Sequence, residues 1–420
     1  MRRIKPQYIT SGAHFPQLFR SGYQQILLNQ LSSHAVGEEP NSYGAGGFHP
    51  VSLGDTFDAG RYRILRKLGY GQYSTVWLAR DFKSQRYVAI KALRANCYGG
   101  SERDILSKIT DISKRSKHTG RYFVIRALDQ FIHTGPNGDH AFFVFDVLGH
   151  HLYHQCSKYE DGRLPVGVVK TIARQLLLGL DFLHNECNII HTADIHPKNI
   201  LVALENSDTA ISRHLLEVSP RADTQSGAEL PLREIIKTPL TAEMKEPCIK
   251  IIDFGLATWR HKYLTHLIQS PALRAPEVTI GAPWDTKVDI WTLGCLIMEF
   301  IQGIILFSGK ASEDGSWTAD DDRLARTIEA LGPFPTELLE KGTRTADFFC
   351  ENGDLRRIPN LNPTTFELLI NGPTKPFLKP DDMPDSEVPI FIDFLKGMLT
   401  INPDFRLSAA DLLQHEWLKL

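Results

Sequence analysis

The chain has 420 residues, and its 47 Lys plus Arg against 49 Asp plus Glu leave a formal charge of -2. That length holds one large two-lobed domain or two ordinary ones, and the even balance gives no global basic field, so direct nucleic-acid binding is not expected. Six cysteines, at 97, 156, 187, 248, 295 and 350, form no C-x-x-C pair and fit reduced intracellular thiols, while the longest apolar run, Ile297 to Phe307, carries Glu299, Gln302 and Gly303 and is too short to cross a bilayer.

The stretch up to residue 37 carries Arg2, Arg3, Lys5 and Arg20, with no acid before Glu38. Organelle presequences and disordered tails share that bias; the tail is the expectation, because no arginine-rich amphipathic helix emerges. Residues 1–61 are accordingly read as a partly disordered N-terminal extension. From Tyr62 to Leu148 short strands are predicted at Tyr62–Leu65, Ser74–Ala79 and Tyr87–Lys91, where β-branched and aromatic residues cluster between glycine turns. One helix is predicted to start near Ser101, with Glu102, Ile105 and Leu106 at helical spacing after Gly99 and Gly100. Beyond Gly149 the period turns helical: over Val168 to His184, residues Ile172, Leu176, Leu177, Leu180 and Leu183 line one face. The fold class is thus α+β, with a small sheet-rich lobe over 62–148 and a larger helical lobe over 149–420. An insert rich in Ser, Thr, Glu and Pro spans about 205–246, and insertions of that length are functional or disordered. A second insert-like stretch concentrates acid at Glu313, Asp314 and Asp320–Asp322.

Gly69-Tyr70-Gly71-Gln72-Tyr73-Ser74 lets a strand-turn-strand lie close over a nucleotide with its N–H groups near the phosphates. A plain glycine hairpin would carry the same residues, but a dinucleotide fold is disfavoured, because Thr75-Val76-Trp77-Leu78 continues as strand instead of opening a helix. Val88-Ala89-Ile90-Lys91 follows in the order that chemistry needs. Lys91 would hold the α- and β-phosphates, and Glu102 would pair with it, Asp104 being the other candidate. Further on, Asp194 would accept or orient the proton of an attacking hydroxyl, while Asn199 and Asp253 would bind magnesium. Each carboxylate taken alone could be a turn or cap residue. The ordered set is what argues for phosphoryl transfer.

These residues resemble the eukaryotic protein kinase family over about Tyr62 to Trp417. Ala275-Pro276-Glu277 looks like the close of that family's activation segment, Asp289-Ile290-Trp291-Thr292-Leu293-Gly294 like its buried central helix, and Arg406 like the partner of Glu277. Leu68 to Leu78, Val144 to Leu152 and Leu331-Gly-Pro-Phe-Pro335 are similar to serine/arginine-rich protein kinases, which carry a spacer where this chain has its insert. Arg274 and Ser270 also match, the first with the wider group holding cyclin-dependent, MAP and SR-protein kinases, the second with a small hydroxyl contacting the catalytic loop. The resemblance implies ATP and Mg2+ as cofactors. It implies a nucleotide site lined by Leu68, Gly69, Tyr70, Gly71, Gln72, Tyr73, Ser74, Thr75, Val76, Ala89 and Lys91, with Leu201 as the floor beneath adenine, Phe145 controlling a rear pocket, and the backbone of Asp146 and Leu148 meeting the base. It implies a monomer that acts on Ser or Thr in Arg/Ser-rich proteins of RNA processing, in cytoplasm and nucleus, with no membrane partner. Arginines beside the accepting serine need carboxylates, and the stretch Glu313 to Asp322 is one candidate surface.

Two positions depart from the family. His191-Thr192-Ala193-Asp194 has one residue more than the usual His-x-Asp, so either Thr192 takes the histidine place or the backbone bulges. With Ala193 before Asp194 there is no arginine to meet an activation-loop phosphate, so that switch is not expected. His196 stands where a lysine would reach the γ-phosphate and the attacking oxygen; it is kept as a catalytic candidate with less charge at pH 7. Asp-x-His-Pro-x-Asn also resembles small-molecule kinases of the aminoglycoside and choline type, against which Ala275-Pro276-Glu277, Arg406 and Leu331-Gly-Pro-Phe-Pro335 stand. A nucleotide-binding pseudokinase scaffold is the other alternative.

Overall fold

In the computed structural model, which describes residues 38, 40–192, 195–217, 244–262 and 267–419, six antiparallel strands form one sheet in the order β1-β2-β3-β4-β6-β5. They are β1 (Thr56–Phe57), β2 (Tyr62–Tyr70), β3 (Ser74–Asp81), β4 (Arg86–Leu93), β5 (Asp129–Gly135) and β6 (Gly138–Phe145). Of these, β2, β3 and β4 cover and extend the three predicted runs, while β1, β5 and β6 are added to them. Period-two alternation sorts their side chains to two faces. Trp77, Val88, Ile90, Phe142 and Val144 turn outward into a small apolar cluster with Val51 and Phe57, while Leu78, Ala89, Leu93, Phe143 and Phe145 turn inward to the main core. Pairing opposes Lys91 to Val76 and Ala89 to Phe145, which gathers these inward residues over the interlobe cleft.

The predicted helix is α1 (Ser101–Arg115), with Glu102 and Asp104 in its first turn and Lys114 and Arg115 in its last, charges that complement the helix dipole. Its Ile105, Leu106 and Ile109 are buried at helical spacing under the sheet. Below the sheet, α2 (Leu152–Cys156) leads to α3 (Val166–Asp181), which begins two residues before the predicted segment and continues as a π-helical turn over Phe182–Cys187. Short ladders follow: β7 (Ile189–Ile190), and β8 (Ile200–Val202) paired with β9 (Ile249–Ile251), then β10 (Thr258–Trp259) paired with β7.

The insert starts as a helix, α4 (Ser207–Glu217), and not as a loop. It docks on the upper sheet, where Asp208 accepts the Tyr87 N–H at 3.1 Å and the Ser212 and Tyr87 hydroxyls lie 3.2 Å apart. Its remainder, 218–243, lies outside the described residues, as do the tail expectation for 1–37 and the predicted base Asp194. The centre of the larger lobe is α6 (Lys287–Gln302), preceded by the short α5 (Pro276–Thr279). Almost every α6 side chain is buried, as its all-round apolar sequence requires. Gly303 ends it at φ +66°, where a Cβ would lie 2.3 Å from the Asp161 carbonyl, so glycine is needed twice over. A capping box between Thr318 and Asp321 starts α7 (Ala319–Leu331). All six cysteines are free, and no helix among the described residues is long and apolar enough to cross a membrane.

Candidate active site

Between the lobes lies a cleft of about 400 Å³. Leu68, Val76 and Ala89 from the sheet form its roof, Leu201 of β8 faces it from below, and Phe145, Asp146 and Leu148 run along the connection between lobes. Gly69, Tyr70, Gly71 and Ser74 of the β2–β3 turn complete the expected lining, the turn being closed by the Gly71 N–H to Ser74 carbonyl bond at 2.8 Å. A Cβ on Gly69 or Gly71 would meet nothing within 4 Å, so the protein's own packing does not demand glycine there and the main chain stays open to a ligand. Gln72, Tyr73 and Thr75 do not line the cleft. The first two are exposed at the tip, and Thr75 is buried with its hydroxyl accepting the Trp77 indole N–H at 3.0 Å.

Lys91 reaches from β4 to the Glu102 carboxylate at 2.5 Å and to Asp253 at 3.2 Å. Asp104 is exposed, so of the two candidates Glu102 is the partner. Burial opposes the Lys91 charge, but the Glu102 and Asp253 carboxylates outweigh it and raise its pKa. Lys91 in turn holds the Asp253 carboxyl below the ordinary range despite burial. Lys91 and Asp253 are therefore both charged at pH 7. Asp253 has φ +63°, a left-handed conformation that costs a non-glycine residue energy. Asn199 sits at the same end of the β8–β9 hairpin, its carbonyl accepting the Ile252 N–H at 3.0 Å. Asn199 and Asp253 thus offer oxygen donors from adjoining positions, the donor type a magnesium ion takes.

The extra residue before Asp194 is located by its neighbours. His191 packs its ring 5.0 Å from that of Phe254 and bonds through Nε2 to the Ile252 carbonyl at 3.1 Å, so His191, and not Thr192, takes the histidine place. Asp289 on α6 anchors this loop, a role the sequence reading missed: its carboxylate accepts the His191 N–H at 2.9 Å and the Thr192 N–H at 3.0 Å, and pairs with His184 Nε2 at 2.8 Å. An acid at the start of an apolar helix was the available signal.

His196 does not line the cleft, while Lys198 does. The His196 Nδ1 accepts the Lys198 N–H at 3.1 Å, capping a single turn, and burial, followed by the nearby Lys198 charge, pushes its pKa down to about 4. The expected charge deficit at this position is therefore complete.

Arg406 forks onto Glu277 at 2.7 and 2.9 Å, both side chains fully buried. Gln269 ties the preceding segment to α6, its amide donating to the Val288 carbonyl and the Thr292 hydroxyl while its oxygen accepts the Ala275 N–H. Arg274 donates to the carbonyls of Ile268 and Gln269. Ser270 begins a one-turn helix without a side-chain cap bond. The acidic stretch divides into two parts. Asp320 pairs with Arg323 and lies 3.8 Å from Arg274, Asp321 pairs with Arg357 at 2.9 Å, and Asp322 with Arg326 at 2.7 Å. The charge of Asp320 to Asp322 is thus compensated within the chain, while Glu313 and Asp314 stay exposed. Ile125, Leu106 and Lys198 are cleft residues the sequence reading left out; Lys198 stands at a variable position of the Asp-x-His-Pro-x-Asn run, and the other two lie in no recognisable motif.

Comparison with known proteins agrees with this geometry. A family model described as protein kinase domain matches residues 62–418. A serine/threonine-protein kinase SRPK of Physarum polycephalum is 34% identical over 398 residues, which cover 91% of this chain and 91% of that protein. Protein kinase dsk1 of Schizosaccharomyces pombe is 31% identical over 485 residues, covering 94% and 86%, and human SRSF protein kinase 3 is 28% identical over 530 residues, covering 91% and 90%. The chain belongs to the protein kinase family, as a serine/threonine protein kinase of the SRPK type.

Proposed function

We propose that this chain transfers the γ-phosphoryl group of ATP, with Mg2+, to serine and threonine hydroxyls in Arg/Ser-rich segments of RNA-processing proteins. The observation that carries the reading is Lys91 held between Glu102 and Asp253 at the back of an apolar cleft. Lys91 holds the α- and β-phosphates, and the open main chain of Gly69 to Ser74 covers them. Leu68, Val76, Ala89 and Leu201 enclose the adenine, whose edge meets the backbone at Asp146 and Leu148. Asp253 and Asn199 supply the metal's oxygen ligands; a bound magnesium neutralises phosphate charge. Asp194, by its place in the sequence, orients the substrate hydroxyl and takes its proton. The human relative's name, SRSF protein kinase 3, supports the substrate class.

The test is a peptide array incubated with Mg-ATP. Labelling of Arg/Ser peptides by the wild type, abolished in Asp194→Ala, is the expected result. Nucleotide binding without transfer would make the chain a scaffold, and equal labelling by the variant would remove Asp194 from its role.

A further inference from the structure

The chain ahead of the matched domain reaches two parts of the site. Val51 and Phe57 are buried against the outer face of the sheet, which any apolar cover would achieve, and Phe48 is buried beside Tyr43, their ring centroids 5.6 Å apart. The path between them is more specific. At Gly46 and Gly47 the backbone runs beside the linker that joins β4 to α1: the Ala95 N–H donates to the Gly47 carbonyl and the Asn96 N–H to the Gly46 carbonyl, both at 3.0 Å. On its other side the Gly46 N–H donates to the Asn137 carbonyl at 2.9 Å, and the Asn137 side-chain amide donates to the carbonyls of Tyr43 and Phe48 at 2.6 and 2.7 Å. A strap is thereby wedged between the linker and the β5–β6 turn. Glycine makes the path feasible, since Gly46 has φ +74° and a Cβ on Gly47 would lie 2.2 Å from the Ser42 carbonyl. The first described residue, Glu38, is fixed by a buried ion pair to Lys67 of β2.

Arg94 joins the strap to the phosphate-covering turn. Its N–H donates to the Tyr73 carbonyl at 2.9 Å, its Nη1 to the Gln72 carbonyl at 3.4 Å, and its guanidinium lies 5.1 Å over the Phe48 ring. A few residues further on, α1 begins and presents Glu102 to Lys91. We propose that Phe48 and Arg94 are positioning residues, through which the N-terminal strap holds both the Gln72–Tyr73 turn and the Lys91–Glu102 pair in their working arrangement. This rests on the kinase reading above. It also supplies a constant internal support for α1, in a chain without an arginine before Asp194 to sense an activation-loop phosphate.

The experiment uses the full chain with Phe48→Leu, which removes the ring and keeps bulk, and Arg94→Gln. Each is expected to lower kcat by about three- to fivefold, the size of one cation–π contact, with KM for the peptide unchanged. Amide hydrogen exchange over residues 101–106 and 72–74 should quicken by a similar factor, while exchange in α6 and the Tm stay as in the wild type. Phe48→Tyr, which restores the ring, should return both readouts. Unchanged exchange over 101–106 overturns the proposal, and so does an equal rise in α6, which would mean general loosening. A wild type that transfers no phosphate would count against the kinase reading, with the exchange comparison still deciding the strap.

Discussion

His196 carries the clearest consequence of a single side chain. Its Nδ1 is committed to the Lys198 N–H, and burial with the Lys198 charge sets its pKa at about 4, so the ring is neutral through the working range. The folded pKa lies below the ordinary value of about 6.5. The unfolded chain therefore binds the proton first, and the stability gained from the neutral ring is complete above about pH 6.5 and lost as pH falls toward 4. The kcat profiles of wild type and His196→Gln should superimpose between about pH 5.5 and 8; an inflection that disappears in the variant would show a titrating imidazole. His196→Lys exchanges a cap for a cation. It should lose about 1 kcal/mol of stability, read by urea unfolding, and gain kcat if the γ-phosphate lacks positive charge. A kcat that stays level or drops would point to Lys198, already on the cleft wall, as the group supplying that charge.

At the scale of elements, the Glu277–Arg406 fork joins α5 to the chain before the last helices, across 129 residues. Arg406 also donates to the carbonyls of Thr400, Ile401 and Lys287, so every face of its guanidinium is engaged. Glu277→Gln removes the charge and leaves the guanidinium buried, at a cost of about 3–5 kcal/mol; equilibrium unfolding should show that loss. A loss under about 1 kcal/mol would mean that water reaches the site and the pair is not braced as its burial indicates. The strands β2, β3 and β4 and the helix α1 were legible beforehand because alternation and helical period are local properties of the sequence. The Lys91 site was legible because its residues recur in a fixed order. The fork was visible only through resemblance, since neither residue marks its partner. What stayed hidden depends on distant geometry: the arginines that compensate Asp320, Asp321 and Asp322, the anchoring of His191 and Thr192 by Asp289, and the strap, whose contacts are mostly main chain and leave no pattern of residue types. The helix at the start of the insert was hidden for a different reason, because its composition reads as loop.

At the scale of the whole molecule, one of the polar contacts that join the two lobes stands in the cleft itself. Lys91 belongs to the upper sheet and Asp253 to the segment after β9, and their 3.2 Å pair spans the division. The Asp253 carboxylate is kept charged chiefly by Lys91, so it stands ready to meet a cation as well. A ligand touching Gly69 to Ser74 above and Leu201 and Asp253 below would add contacts to both lobes at once, and anything that binds only the folded state stabilises it by mass action. At one hundred times its Kd, Mg-ATP should stabilise the chain by about 2.7 kcal/mol, seen as a rise in Tm. ATP with excess EDTA should give a much smaller rise, because the phosphates then face Asp253 without a bridging charge. In Asp253→Asn the two curves should converge, since the carboxylate that distinguishes metal-bound from free nucleotide is gone while the apolar walls remain. If the metal increment survives that substitution, magnesium is held elsewhere and Asp253 serves Lys91 alone; if no nucleotide shifts the wild type at all, the cleft does not bind one.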